Sequence, residues 1–174
     1  MAEPLFFRLS HDEFLACVTA LREGIEGDRD WRPNFLVGIG RGGLVPATYL
    51  SHATGISMLS VDVSARVPQF VDELLVKLAA RTHGGERLLF VDDINDTGGT
   101  VNALRAALTG AGAVAERIRF AVLIDNVRSS ACAEYRARTI DRSVTKDWFV
   151  FPWEAVASQG AIMADAAEVP ARTA

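Results

Sequence analysis

Short, almost continuously apolar runs alternate along this chain with longer stretches whose apolar residues recur every three or four positions. Ser10-His11-Asp12-Glu13 has the form of a capping box, with Ser10 at the N-cap and Glu13 three residues on. Phe14, Val18, Leu21 and Ile25 follow at helical spacing, which predicts a helix from about Asp12 to about Glu26. Phe35-Leu36-Val37-Gly38-Ile39-Gly40 is a short apolar run ending in glycines, the form of a buried parallel strand. Pro46 is expected to open a second helix that Gly55 closes. Met58 to Val63 predicts another strand, and Leu88-Leu89-Phe90-Val91 a further one that stops at two aspartates. Gly98-Gly99-Thr100 opens a helix carrying Val101, Leu104 and Leu108, which Gly110 and Gly112 end. Ile118 to Ile124 is a fourth apolar strand.

Strands alternating with helices predict an α/β fold, a mostly parallel sheet flanked by helices on both faces. Such sheets bind ligands beyond the C-terminal ends of their strands, where both glycine-rich loops of this chain fall. Between Ala65 and Arg81, Phe70, Leu74 and Leu78 fit a helix, while Leu74-Leu75-Val76-Lys77-Leu78 fits a strand equally well. Residues 155–174 are rich in Ala without a sustained period, and the end of this tail is expected to fray.

Composition narrows the class. The 174 residues suit one domain, and 49% hydrophobic with 23% charged residues is a globular balance. A net charge of −4 gives no reason to expect nucleic acid or a membrane as partner. Cys17 and Cys132 have neither metal-type spacing nor a near partner, which argues against a disulfide framework or structural zinc. Met1-Ala2-Glu3-Pro4 lacks the basic and apolar regions of a signal peptide, so a cytoplasmic protein is expected. His11, His52 and His83 are scattered over a cap, a helix and a loop and read as surface or capping residues.

The chemistry concentrates between Asp92 and Thr100. Two adjacent carboxylates at a strand end can accept from vicinal hydroxyls or hold Mg²⁺ through water. Asp96 follows, and then Thr97-Gly98-Gly99-Thr100 at a helix start. There the glycines admit a phosphate to the backbone, and hydroxyls and helix-start N–H groups donate to it. A phosphorylated ribose has this layout, with a diol at one end and a phosphate at the other.

An apolar strand followed by D-D-x-x-D-T-G-G-T is similar to the diphosphate-ribose signature of type I phosphoribosyltransferases. Gly38-Ile39-Gly40-Arg41-Gly42-Gly43-Leu44-Val45-Pro46 resembles the diphosphate-binding loop of that family. Trp148-Phe149-Val150-Phe151-Pro152-Trp153-Glu154 resembles the purine-binding end of bacterial xanthine–guanine and hypoxanthine phosphoribosyltransferases, and the three blocks agree in order and spacing over most of residues 35–154. The resemblance implies the type I phosphoribosyltransferase fold, with a core from about 30 to 126 and a small hood from about 1–29 and 127–154. It implies transfer of ribose 5-phosphate from 5-phosphoribosyl 1-diphosphate to a purine, by a homodimer or homotetramer. Asp92 and Asp93 would hold the ribose hydroxyls and place Mg²⁺. Asp96, Thr97, Gly98, Gly99 and Thr100 would hold the 5′-phosphate. Arg41 with Gly42 and Gly43 would hold the diphosphate, after a peptide that is often cis in the family. Asp96 would also take the proton from the purine, with Arg41 stabilising the leaving group. Trp148 would stack on the base, Phe149 would read it through the backbone, and Glu154 would act on the metal indirectly.

The chain departs from that family at the position expected to read the base. Where the oxopurine enzymes carry a lysine that donates to the 6-oxo group, this sequence has Asn126, with Arg128 near enough to substitute. The expected acceptor is a 6-oxopurine, hypoxanthine, guanine or xanthine, with adenine or a pyrimidine as the alternative. The loop after Val63 keeps Ser64 and Arg66 but not the usual Ser-Tyr pair of the family. A regulator that senses 5-phosphoribosyl 1-diphosphate would share the fold. Gly38-x-Gly40-x-x-Gly43, with Asp62 about twenty residues on, also satisfies a dinucleotide fingerprint, so a nicotinamide-dependent oxidoreductase is the rival reading.

Overall fold

A computed structural model describes residues 5–62 and 68–167. Ser64 and Arg66 lie outside the described residues, as does the end of the tail.

The chain runs β1 (Phe6–Arg8), α1 (His11–Gly27), β2 (Phe35–Ile39), α2 (Gly40–Thr54), β3 (Met58–Val61) and α3 (Pro68–His83). It continues β4 (Leu88–Asn95), α4 (Gly99–Gly110), β5 (Ile118–Asn126), β6 (Tyr135–Ile140), β7 (Trp148–Val150) and α5 (Gln159–Ala167). Five strands form a wholly parallel sheet in the order β3-β2-β4-β5-β6, and β1 pairs with β7, also in parallel, as a separate ribbon.

Each central strand buries both faces, which explains the unbroken apolar runs. Leu36, Leu89, Val91, Ala121 and Leu123 face one core with Phe14, Val18, Leu21 and Ile25 of α1 and Ala47 and Leu50 of α2. Val37, Ile39, Phe90, Phe120 and Val122 face the other core with Leu75 and Leu78 of α3 and Val101, Leu104 and Leu108 of α4. Each fully buried Leu, Ile or Phe in these layers contributes about 1.5–3 kcal/mol through burial. Cys17 joins the first layer and Trp31 covers its edge, donating from Nε1 to the Glu116 carbonyl at 3.1 Å.

The capping box is present, with the Ser10 hydroxyl accepting from the Glu13 N–H and the Glu13 carboxylate from the Ser10 N–H. The open stretch after Ala65 is helical from Pro68. Helix α2 starts at Gly40, ahead of the expected opening at Pro46. Pro46 sits inside it and lacks the N–H that would bond the Gly42 carbonyl. Strand β4 does not stop at the aspartates. It runs to Asn95 because β5 supplies register partners for Asp92, Ile94 and Asn95. The hood is smaller than expected, since α1 packs on the main sheet and β6 is its edge strand. That leaves the β1–β7 ribbon and its neighbouring loops over the sheet's C-terminal edge.

Candidate active site

The site is built where α2 starts against the end of β4. A Cβ on Gly43 would overlap the Val91 carbonyl, so only glycine allows the approach there, and one on Gly42 would overlap the Asp93 carboxylate unless that side chain moved. The two glycine-bearing loops are thereby brought into contact. Gly40 takes a positive φ of 53°, and all peptides among the described residues are trans, including the one before Arg41. Arg41 is exposed at the head of α2.

Asp92 and Asp93 are half-buried near the end of β4. Burial, and then the neighbouring Asp93 charge, pushes the Asp92 carboxyl well above the usual carboxylate range. The Asp93 N–H, donating to Asp92 Oδ1 at 3.1 Å, opposes this in part. A cation or hydroxyl donors placed between the two acids would relieve both effects.

Residues 92–101 enclose a cavity of about 180 Å³. Gly98 enters α4 at φ 87°, and the first N–H groups of that helix have no partner within the helix. The loop is braced from behind by side chains that sequence reasoning missed. Ser130 donates to the Thr97 carbonyl from its N–H (3.1 Å) and its hydroxyl (2.7 Å). Ser129 Oγ donates to Asn95 Oδ1, and Asn95 Nδ2 donates to Asp125 Oδ1 and to the Ala131 carbonyl. A Cβ on Gly98 would stand 2.5 Å from Ser130 Oγ, so the brace and the glycine require each other.

A second cavity of about 210 Å³ opens between Asp93, Ile94 and Asp96 on one side and Arg142, Trp148, Phe149, Phe151 and Glu154 on the other. Strand β7 places Trp148 and Phe149 there, and Phe149 packs against Phe7 of β1 with ring centroids 5.4 Å apart. Glu154 Oε2 accepts from the Phe151 N–H at 2.7 Å. Burial pushes this carboxyl up. The Phe151 N–H opposes, the Asp165 charge adds, and the Arg41 charge opposes again.

Arg142 is the main residue that sequence reasoning missed. Its guanidinium holds the buried Asp96 carboxylate in a two-pronged pair, Nε to Oδ1 at 3.0 Å and Nη2 to Oδ2 at 2.8 Å. Nη1 donates to the carbonyls of Thr145 and Asp147, and the group lies 5.3 Å from the Phe149 ring centroid. The pair is 46 residues long-range, which no local pattern announces.

Asn126 and Arg128 are not among the residues lining this cavity. The Asn126 amide donates to the Asp96 carbonyl at 2.8 Å and accepts from the N–H groups of Arg128 and Arg142, both at 3.2 Å. The Arg128 guanidinium is paired with Asp141. Asp92, Asp93, Asp96 and residues 97–100 line the two cavities together with Trp148, Phe149 and Glu154, while Gly42 and Gly43 pack against the Asp93 carboxylate and the Val91 backbone, and Arg41 is in neither lining.

Residues 9–158 match the family described as phosphoribosyl transferase domain. Among solved structures, a purine phosphoribosyltransferase from Pyrococcus horikoshii Ot3 is 26% identical, with a TM-score of 0.63 over 87% of this chain and 96% of that one. A Helicobacter pylori xanthine-guanine-hypoxanthine phosphoribosyltransferase is 20% identical, with a TM-score of 0.62 over 86% and 94%. A hypothetical protein from Neisseria gonorrhoeae with bound ppGpp is 19% identical, with a TM-score of 0.64 over 98% of each chain.

Proposed function

The chain belongs to the phosphoribosyl transferase domain family, and from that premise we propose that this phosphoribosyltransferase uses a 6-oxopurine as acceptor. Membership sets aside the dinucleotide reading of Gly38 to Gly43, whose loop instead meets the acidic end of β4.

In the proposed reaction a purine nitrogen bonds to C1 of the ribose while the C1–O bond to diphosphate breaks. The electron pair of that bond leaves with diphosphate, and the base gives up a proton to water. Positive charge gathers on the ribose ring and negative charge on the leaving group, so the site must stabilise their separation. Asp92 and Asp93 accept from the ribose hydroxyls. Thr97, Thr100 and the first N–H groups of α4 donate to the 5′-phosphate, with Gly98 and Gly99 allowing the approach. Arg41 and the N–H groups of Gly42 and Gly43 donate to the diphosphate.

Asp92 and Asp93 would hold Mg²⁺, which supplies positive charge to the departing diphosphate. The raised Asp92 carboxyl fits this role, because a cation offsets the Asp93 charge that helps to raise it. Among the described residues no three acids, histidines or cysteines are grouped to hold a metal ion, so the two aspartates would share it with oxygens of the substrate and water. Glu154 borders the cavity that Asp93 also lines and would act on the metal only through water.

Trp148 stacks on the base and the backbone at Phe149 reads its edge. Asp96 is a less apt proton acceptor than the motif suggests, because the guanidinium already occupies both of its oxygens. The free thiols of Cys17 and Cys132 suit a cytoplasmic salvage enzyme, and no helix among the described residues is long and apolar enough to cross a membrane.

The observation that carries the reading is the meeting of three separate chain segments at one edge. The Arg41 loop touches Asp93, Asp93 and Asp96 line the aromatic cavity, and Trp148 and Phe149 close it. A spectrophotometric screen of nucleobases with 5-phosphoribosyl 1-diphosphate and Mg²⁺ tests it. Turnover of hypoxanthine, guanine or xanthine is expected. Turnover of adenine alone would replace the acceptor while leaving phosphoribosyl transfer in place.

A further inference from the structure

Of the described residues lining the aromatic cavity, Arg142 is the sole cation. Its bonds to Asp96, Thr145 and Asp147 can occupy four of its five N–H groups, which leaves one on Nη2. The side chain is buried, and its plane is fixed by the Asp96 fork and the two carbonyls. A fixed, buried donor demands an acceptor from whatever fills the cavity.

The Asp96 carboxylate beside it is already engaged. Asp96 takes the guanidinium on both oxygens, and Glu154 Oε2 takes the Phe151 N–H. The Asn126 carbonyl oxygen takes two backbone N–H groups from outside the cavity lining. A carbonyl on the base edge satisfies the Arg142 donor. An amino group presents a second donor to it and leaves both unpaired.

We infer that Arg142 is the specificity-determining residue of the acceptor site, selecting a purine with a carbonyl at the edge it faces and rejecting an amino group there. This rests on the reading that the aromatic cavity takes the acceptor base. It gives the recognition role to a residue in the loop between β6 and β7. Asn126 becomes the brace that positions the loop, and Asp96 the anchor that orients the guanidinium.

The test is steady-state kinetics with hypoxanthine and adenine on the wild type, Arg142→Lys, Arg142→Gln and the double variant Asp96→Asn/Arg142→Gln. The double variant replaces the ion pair by two amides, so that no carboxylate is left buried alone. The wild type is expected to prefer hypoxanthine on the order of 10⁴-fold in kcat/KM, as sites built around a polar group of the substrate do. Both glutamine variants should shrink that ratio by about 100-fold or more, through the KM for the base, with the KM for 5-phosphoribosyl 1-diphosphate changed only a few-fold. Arg142→Lys should keep part of the preference. A merely structural Arg142 would lower both bases equally and leave the ratio intact, which would overturn the inference alone. A wild type that turns over no nucleobase would overturn the functional reading and this inference with it.

Discussion

Gly42 and Asp93 approach so closely that a side chain on the glycine would occupy the space of the aspartate carboxylate. The contact joins the start of α2 to the end of β4, so the loop expected to hold diphosphate and the acid expected to hold ribose share one wall. Gly42→Ala can be accommodated by swinging the Asp93 side chain, because the clash is with a movable group. It should fold with a near-normal melting temperature and weaken 5-phosphoribosyl diphosphate binding by about tenfold or more, the loss of one charge-assisted hydrogen bond. Gly43→Ala meets the Val91 backbone instead and should cost about 1–3 kcal/mol of stability. Thermal melts and titration calorimetry separate the two, and equal binding by Gly42→Ala and wild type would remove Asp93 from the binding wall.

The raised Asp92 carboxyl makes both stability and ligand binding depend on pH, in opposite directions. Burial and the Asp93 charge favour its protonated form in the ligand-free fold. The stability from this group is therefore greatest below its unfolded value and is lost as pH rises through the folded one. Ligand binding runs the other way, because ribose hydroxyls and Mg²⁺ need the carboxylate. Affinity for Mg²⁺ and 5-phosphoribosyl diphosphate should rise with pH until Asp92 is ionised and then level. Calorimetry in two buffers of different ionisation heat should show proton release in the rising limb, and Asp92→Asn should abolish it. A flat affinity without proton release would contradict the assignment.

Local grammar made much of this fold legible. Ser10 and Glu13 mark a helix start because their hydrogen bonds span three residues, and Leu88 to Val91 mark a strand because both faces are buried. What depended on partners was hidden. The length of β4 is set by β5, which continues the ladder through Asp92 and Asn95. The Asp92-to-Thr100 motif was visible as a unit, but its brace comes from Ser129 and Ser130, some thirty residues on. Arg142 left only a weak trace, a single arginine after a strand in a segment without periodicity. Asn126 was visible as a departure, but the three backbone groups that hold its amide were not.

The Asp96–Arg142 pair separates two roles for Asp96. If the carboxylate chiefly anchors the guanidinium, Asp96→Asn strands a buried cation and should cost about 3–5 kcal/mol of stability. Denaturant unfolding should show this, and the added Arg142→Gln change should recover part of it. A variant that unfolds like the wild type while kcat alone falls by about 10²–10⁴-fold would mark Asp96 as the proton acceptor after all.

Asn126 offers the sharpest contrast between bracing a site and reading a substrate. Its amide ties the end of β5 to the Asp96 backbone and to the N–H groups of Arg128 and Arg142. Asn126→Ala removes all three bonds at a position only 6% exposed and should cost about 1–3 kcal/mol for the buried groups left unpaired. Catalysis should suffer because Asp96 and Arg142 lose their register, and part of the preference for hypoxanthine over adenine should be lost along with stability. Asn126→Lys should do no better, since the lysine removes the acceptor for both N–H groups and buries an ammonium beside Arg142. Arg128→Ala should be nearly silent. Its pair with Asp141 is on the surface, with the arginine side chain 60% exposed, and such pairs contribute about 1 kcal/mol at most. Melting temperatures beside kcat/KM for both bases decide the matter. An Asn126→Ala protein of wild-type stability whose base preference has shifted would show that the amide reads the base directly, against the bonding that holds it away from the cavity.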